Sequence, residues 1–294
     1  MVMSRIATAS AFILVGGGAW AAGGSAGVPM AECGGVVCAQ FQSGQVPIKL
    51  LIDTGNAVSV LDLARAQAMK LELAPYKRAN GEVVPGYQSA VLKNLQLGEE
   101  TLGDVQVLVA DMKDDIAKGT FPKSDGALSY RAIKERVLTL DFRAHRMSLT
   151  GPIAECKSNC GTLSYPTFGP KGPPIVVTSG FEVNGVPVSM QVDTLYTGTM
   201  LIFPTAVDKT GLTAESRATK IRHFPFTDGG VDMIEAQVAH EAFLGRPLRV
   251  PARVYFATQK VHTPDGLFDG TVGAELFKNR KVTLDFKSNR FWMS

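Results

Sequence analysis

The sequence carries little surplus charge: 30 Lys and Arg are set against 27 Asp and Glu over 294 residues, a formal net charge of +3. So even a balance leaves no electrostatic footprint for nucleic acid or an anionic membrane surface, and neither is expected as a partner. Histidine is scarce too. The four, His145, His223, His240 and His262, are scattered, and no Ser or Cys stands in a recognisable nucleophile context, which argues against a catalytic triad. A G-x-S-x-G elbow, HExxH, a phosphate-binding P-loop and a Gly-rich dinucleotide turn are all missing. Cysteine is limited to two close pairs, Cys33 with Cys38 and Cys156 with Cys160. Neither has the spacing of a zinc knuckle or redox motif, so no metal and no cofactor is expected. Structural disulfides are expected instead, with their connectivity left open by the spacing.

Long apolar runs are also lacking. The one apolar stretch near the start, Ile6 to Val15, follows Arg5 and leads to Ala19-Trp20-Ala21, a small-x-small cleavage pattern. It is too short to span a bilayer, which takes about 20 residues. Residues 1–21 are therefore expected to be a signal peptide cleaved near Ala21. The mature chain is expected to be periplasmic or secreted, in a bacterium, without stable membrane insertion.

What the sequence does contain is a repeat. At the offset that separates Asp53 from Asp193, VVCAQFQSGQVPIKLLIDTGNAVSVL (36–61) lies on VVTSGFEVNGVPVSMQVDTLYTGTML (176–201) without a gap. Val36, Val37, Phe41, Val46, Pro47, Asp53, Thr54 and Leu61 each meet the same residue type. A second block, DGALSYRAIKERVLTLDFRAHRMSL (125–149), lies on DGTVGAELFKNRKVTLDFKSNRFWM (269–293). The order of the blocks is conserved between the halves, so two homologous lobes are expected, at 28–150 and 151–294, joined by a Gly- and Pro-rich stretch. Within each, short β-branched or aromatic runs bounded by Gly, Asn, Asp or Pro predict strands, and Asn184-Gly185 predicts a hairpin turn. Helical pattern is restricted to 61–73 and a short turn near Ala127 to Val137. The class is all-β with minor helices.

Asp53 and Asp193 each end a largely apolar strand, where a carboxylate costs several kcal/mol unless it is hydrogen-bonded. If the lobes pack about a pseudo-twofold axis, the two acids become neighbours and share one proton. Such a pair activates a water as base while polarising a carbonyl as acid, which suits peptide hydrolysis. Gly55 can take a tight turn and allow close approach. The hydroxyls of Thr54 and Thr194 can bond backbone across the axis. Asp141 and Asp285 also recur, but they precede basic residues and are expected to be exposed partners of Arg143 and Lys287.

Leu51-Ile52-Asp53-Thr54-Gly55, Val192-Asp193-Thr194 and the later Ala127-Leu128-Ser129 and Thr271-Val272-Gly273, each of these two preceded by Asp-Gly, carry a resemblance to the retropepsin-like and pepsin-like aspartic proteases, bacterial exported two-lobed type. The resemblance spans nearly the whole mature chain. It implies the acid protease fold: two homologous β-barrel-like lobes with the active cleft between them, in a monomer with an internal pseudo-twofold. It implies Asp53 and Asp193 as catalytic dyad, Thr54, Gly55 and Thr194 as support of the active-site turns, and a polypeptide as substrate. It also implies flaps at 78–87 and 225–233, ahead of Leu97-Gly98 and Leu244-Gly245; Tyr87, in the first, could contact substrate, although an aromatic in a strand more often packs. Two positions depart from the family pattern. Ser129 and Leu195 each stand where the family has Gly, and Leu195 adds a side chain in a crowded turn. The activity expected is that of an aspartic endopeptidase. The alternative is a catalytically impaired peptide-binding protein on the same fold. Asn56 and Tyr196, in place of Ser or Thr after the turns, imply fewer bonds to the charged dyad and activity at mildly acidic to neutral pH.

Overall fold

The computed structural model describes residues 27–78, 81–118, 121–149, 160–167, 172–212, 220–224, 231–236, 238, 240–248, 254–257 and 266–294. The expected signal peptide, the division near residue 150, Cys156 and residues 225–230 of the second expected flap lie outside them.

In the first half the order is β1 (Val28–Cys33), β2 (Val36–Ser43), β3 (Val46–Asp53), β4 (Val60–Asp62), α1 (Leu63–Ala68), β5 (Ala74–Lys77), β6 (Val83–Leu97), β7 (Glu100–Ala110), α2 (Lys113–Lys118), β8 (Gly126–Ser129), β9 (Val137–Asp141) and β10 (Arg146–Ser148). In the second it is β11 (Gly161–Ser164), β12 (Val177–Val183), β13 (Val186–Val192), β14 (Met200–Ile202), α3 (Pro204–Val207), β15 (Lys220–Phe224), β16 (Val231–Ala236), β17 (Glu241–Phe243), β18 (Arg246–Pro247), β19 (Val254–Ala257), β20 (Gly270–Val272), α4 (Ala274–Phe277), β21 (Lys281–Asp285) and β22 (Arg290–Met293). Strands dominate and the helices are short. The molecule is all-β with minor helices, in the architecture of an acid protease.

The two halves follow one wiring. β3 runs parallel to β8, while β4 is antiparallel to β8 and parallel to β7. Likewise β13 runs parallel to β20, while β14 is antiparallel to β20 and parallel to β19. The chain leaving β3 or β13 must therefore double back across the strand that lies beside it. That crossing is tight: a Cβ on Gly126 would lie 2.1 Å from the Val60 carbonyl oxygen, and one on Gly270 equally close to that of Leu201. The acid before each glycine buckles the crossing, since Asp125 accepts from the Lys49 N–H at 2.8 Å and Asp269 from the Ser189 N–H at 2.7 Å. The Asp-Gly pairs are thus structural, set by the space between strands.

A six-stranded antiparallel sheet joins the halves in the order β1, β10, β9, β21, β22, β11. At its centre Thr139 faces Thr283, with hydroxyl oxygens 3.3 Å apart. Leu138, Leu140, Val282 and Leu284 on the two central strands are fully buried and belong to a core that continues through both halves.

Several sequence expectations need correction. Of the helical pattern at 61–73 only Leu63–Ala68 is helical. Asp62 caps it by accepting from the Arg65 N–H, and Lys70 ends it with a left-handed φ of 54°. Asp141 and Asp285 are not exposed ion-pair partners. Asp141 accepts from the N–H groups of Arg143 and Ala144, and Asp285 is buried and accepts from that of Ser288, so each ties the turn after its strand. Tyr87 is 42% exposed, so it is not part of the core. The Asn184-Gly185 turn forms as expected, with positive φ at both residues. Cys33 and Cys38 are disulfide-bonded across the β1–β2 hairpin.

Candidate active site

Asp53 is the last residue of β3 and Asp193 the first after β13. The apolar residues before them, Leu50, Leu51 and Ile52 in one case and Met190 and Val192 in the other, are buried, which draws each acid to the interior end of its strand. There the two turns meet. The Thr54 N–H donates to the Thr194 hydroxyl at 3.1 Å, and the Thr194 N–H donates to the Thr54 hydroxyl at the same distance. Each hydroxyl in turn donates to a carbonyl of the opposite strand: Thr54 to Val192 at 2.7 Å, and Thr194 to Ile52. Both threonines are fully buried. Losing any member of the set strands a buried partner, at about 1–3 kcal/mol each.

Gly55 closes the approach. A Cβ at this position would sit 2.3 Å from the Asp193 carboxyl carbon and 2.6 Å from each of its oxygens. The backbone of one turn therefore lies flat against the acid of the other, as only glycine permits. Gln191 fastens this edge by donating from Nε2 to the Gly55 carbonyl at 3.0 Å, and the Thr271 hydroxyl donates to Gln191 Oε1 at 3.3 Å.

Asp53 is 7% exposed and Asp193 somewhat more open. Burial, joined by the charge of Asp193, holds the Asp53 carboxyl well above its usual range, against bonds from the N–H groups of Gly55 and Asn56 that favour the anion. Burial raises Asp193 as well, opposed by the N–H groups of Leu195 at 2.8 Å and Tyr196 at 3.2 Å, both donating to Oδ1. Both shifts favour the protonated form of each acid. The Asn56 side chain is engaged within its own turn, where its Oδ1 accepts from the Val58 N–H at 3.0 Å.

All five residues singled out in the sequence, Asp53, Thr54, Gly55, Asp193 and Thr194, are brought together. The two departures from the family pattern are accommodated by different means. Ser129 is extended, with φ −75°; its N–H donates to Ser59 Oγ at 3.0 Å and the two hydroxyls lie 3.1 Å apart. Leu195 lacks a positive φ, and its side chain joins a small apolar cluster of Cys33, Val36, Cys38, Leu51, Ala127 and Ala274. The turn is not forced apart. On the matching side Gly273 is indispensable, because a Cβ there would lie 2.1 Å from the Tyr196 carbonyl oxygen.

Gln191 and Ser59 escaped the sequence reading. Gln191 had a signal, a polar side chain two positions before Asp193 in an apolar strand. Ser59 had none beyond its place after the turn. A groove of about 620 Å³ opens beside the Asp53 turn, lined by Ala57, Val58, Ser59, Tyr76, Ser89 and Arg131 among others. Among the described residues no group of three or more His, Cys, Asp or Glu comes together to hold a metal ion.

A search of curated proteins finds no match. Residues 39–130 match the family model described as aspartyl protease. The match begins in β2, contains Asp53-Thr54-Gly55 and ends just past Ser129. Over these residues the chain is similar to an aspartyl protease family.

Proposed function

We propose that the protein is an exported aspartic endopeptidase that hydrolyses peptide bonds of extended polypeptides, with Asp53 and Asp193 as its dyad and a water as nucleophile. The observation that carries this reading is the reciprocal bonding of Thr54 and Thr194, with Gly55 laid against the Asp193 carboxyl. It supports the meeting of one acid from each half at a common point, and burial of both acids favours a proton held by the pair.

The ionised member removes a proton from water as its oxygen bonds to the scissile carbonyl carbon, while the protonated member donates to the carbonyl oxygen. The tetrahedral diol then collapses: the carboxyl gives its proton to the leaving nitrogen, the opposite carboxylate takes a proton from one diol hydroxyl as the C=O re-forms, the C–N bond breaks, and the dyad again holds one proton. Thr54, Gly55 and Thr194 hold the turns. The groove beside Ala57, Val58 and Ser59 has room for side chains of an extended chain, and the hairpin of β5 and β6 is the flap that covers them.

The Leu195 N–H still bonds Asp193 and its side chain leaves the turn, which weighs against the impaired peptide-binding reading. The lobes are read as 28–150 and 151–294 in a monomer. The Cys33–Cys38 disulfide, and the lack among described residues of a helix long and apolar enough to cross a membrane, favour a soluble periplasmic or secreted protein.

The test is a pH-resolved digest of a random peptide pool read by mass spectrometry. Cleavage is expected at mildly acidic to neutral pH, blocked by a statine-type inhibitor and by Asp53→Asn or Asp193→Asn. Cleavage undiminished in either variant refutes the dyad.

A further inference from the structure

Away from the two aspartates, a groove of about 630 Å³ is lined by four cations and no carboxylate side chain. Arg143 comes from the turn after β9, Arg246 from β18, and Lys278 and Arg280 from the turn between α4 and β21, so both halves contribute. Arg143 donates to the main-chain oxygens of Asn279 at 2.6 Å and Ser294 at 3.1 Å, and Arg280 donates to that of Leu276. Among the described residues none of the four stands in an ion pair. Arg280 is half-buried beside the charge of Arg143, with Glu241 as the one carboxylate that it feels. The guanidinium of Arg246 sits 5.8 Å from the ring centre of Trp292, which also lines the groove. Trp292 is 8% exposed, and its indole N–H has no acceptor among the described residues.

We propose that this groove binds a multivalent oxyanion of the oligophosphate class, bridging Arg143 of the first half to Arg246, Lys278 and Arg280 of the second. Guanidinium forks match phosphate oxygens two at a time. Two arginines that each spend only part of a guanidinium on main-chain oxygens retain N–H donors for such a ligand, and a volume of this size suits a small molecule. The small net charge of the chain does not conflict with the site, because it is the local arrangement that concentrates the cations. By bridging the halves the ligand also stabilises the fold, since it binds the native chain and not the unfolded one.

Isothermal titration of the full chain with tripolyphosphate, at fixed ionic strength, tests this. One-to-one saturable binding is expected, at least about tenfold tighter than for inorganic phosphate, with a rise in melting temperature. Arg280→Gln and Arg143→Gln should each weaken it by about tenfold or more, and Asp53→Asn should bind as the wild type does. Should either fail to fold, the exposed Arg246→Gln and Lys278→Gln carry the same test. A parallel arm uses phosphatidylcholine vesicles doped with phosphatidic acid. Sedimentation with them that tripolyphosphate competes away and Arg246→Gln abolishes assigns the ligand to a lipid headgroup, and binding in solution alone assigns it to a free oligophosphate. Absence of saturable binding in both arms, or affinities unchanged by all four substitutions, overturns the site.

Discussion

At position 55 a methyl group would press within 2.3 Å of the Asp193 carboxyl carbon, whereas at the equivalent position 195 a whole isobutyl group finds room under the β1–β2 hairpin. The two turns share backbone wiring but not surroundings. Gly55→Ala is therefore expected to displace Asp193 and lower kcat by about 10²-fold or more, since shifts near 1 Å have that effect. Leu195→Ala should spare the dyad bonds and instead lose packing, toward the low end of about 2–5 kcal/mol because Leu195 is only partly buried; urea denaturation and peptide kinetics on both variants separate the two effects. The raised carboxyl at Asp53 has a signed consequence for stability. The native state binds the proton more tightly than the unfolded chain, so the stability it contributes is full below the unfolded value near 3.9 and is lost as pH rises through the folded one. Asp53→Asn, which cannot ionise, should melt higher than wild type at pH 7, and the gap should close toward pH 4. A gap constant with pH would contradict a buried, proton-sharing pair.

Among the elements, the β1–β2 hairpin has a role that strand pattern alone does not reveal. Its disulfide and Val36 pack against Leu195, and a Cβ on Gly35 at its tip would come within 3.5 Å of the Thr197 methyl, so an element of the first half shores up the Asp193 turn of the second. Reducing the Cys33–Cys38 bridge is expected to destabilise the protein by about 2 kcal/mol, the loop-closure entropy of so short a ring. It should also lower kcat more than it raises KM, as a loosened dyad would. Steady-state kinetics before and after mild reduction decide it; a change in KM alone would place the hairpin at the substrate and not behind the acid. The same scale shows why pattern reading overran at 61–73. The apolar spacing there suits a helix, but Leu61 is claimed by β4 and its pairing with β8, and Lys70 turns left-handed to send the chain into β5.

For the molecule as a whole, the six-stranded sheet makes the halves interdependent. β9 pairs with β21 over five residues, and its leucines are buried in a core that continues through both halves. A fragment of residues 28–150 is expected to leave β9 as a bare apolar edge and to aggregate, whereas the full chain should unfold in a single transition. Trp292, on β22 of this sheet, reports that transition by fluorescence, and its midpoint in urea should coincide with that of far-UV circular dichroism. Separated midpoints would mean that the halves unfold independently.

The residues of the proposed dyad and their strands were legible because both rest on local order. An acid closing an apolar run, a glycine or threonine beside it and the recurrence of the block at a fixed offset are all visible along the chain. That reading named Asp53, Thr54, Gly55, Asp193 and Thr194, and the all-β class. What the chain order could not convey was adjacency between residues far apart in it: Gln191 reaching Gly55, Ser59 meeting Ser129, Leu195 settling against Cys33 and Cys38, and Arg143 arriving beside Arg280. Strand propensity is set within a few residues, but the partner across a sheet or a lobe boundary is chosen by which surfaces can be buried together, and only the folded chain makes that choice.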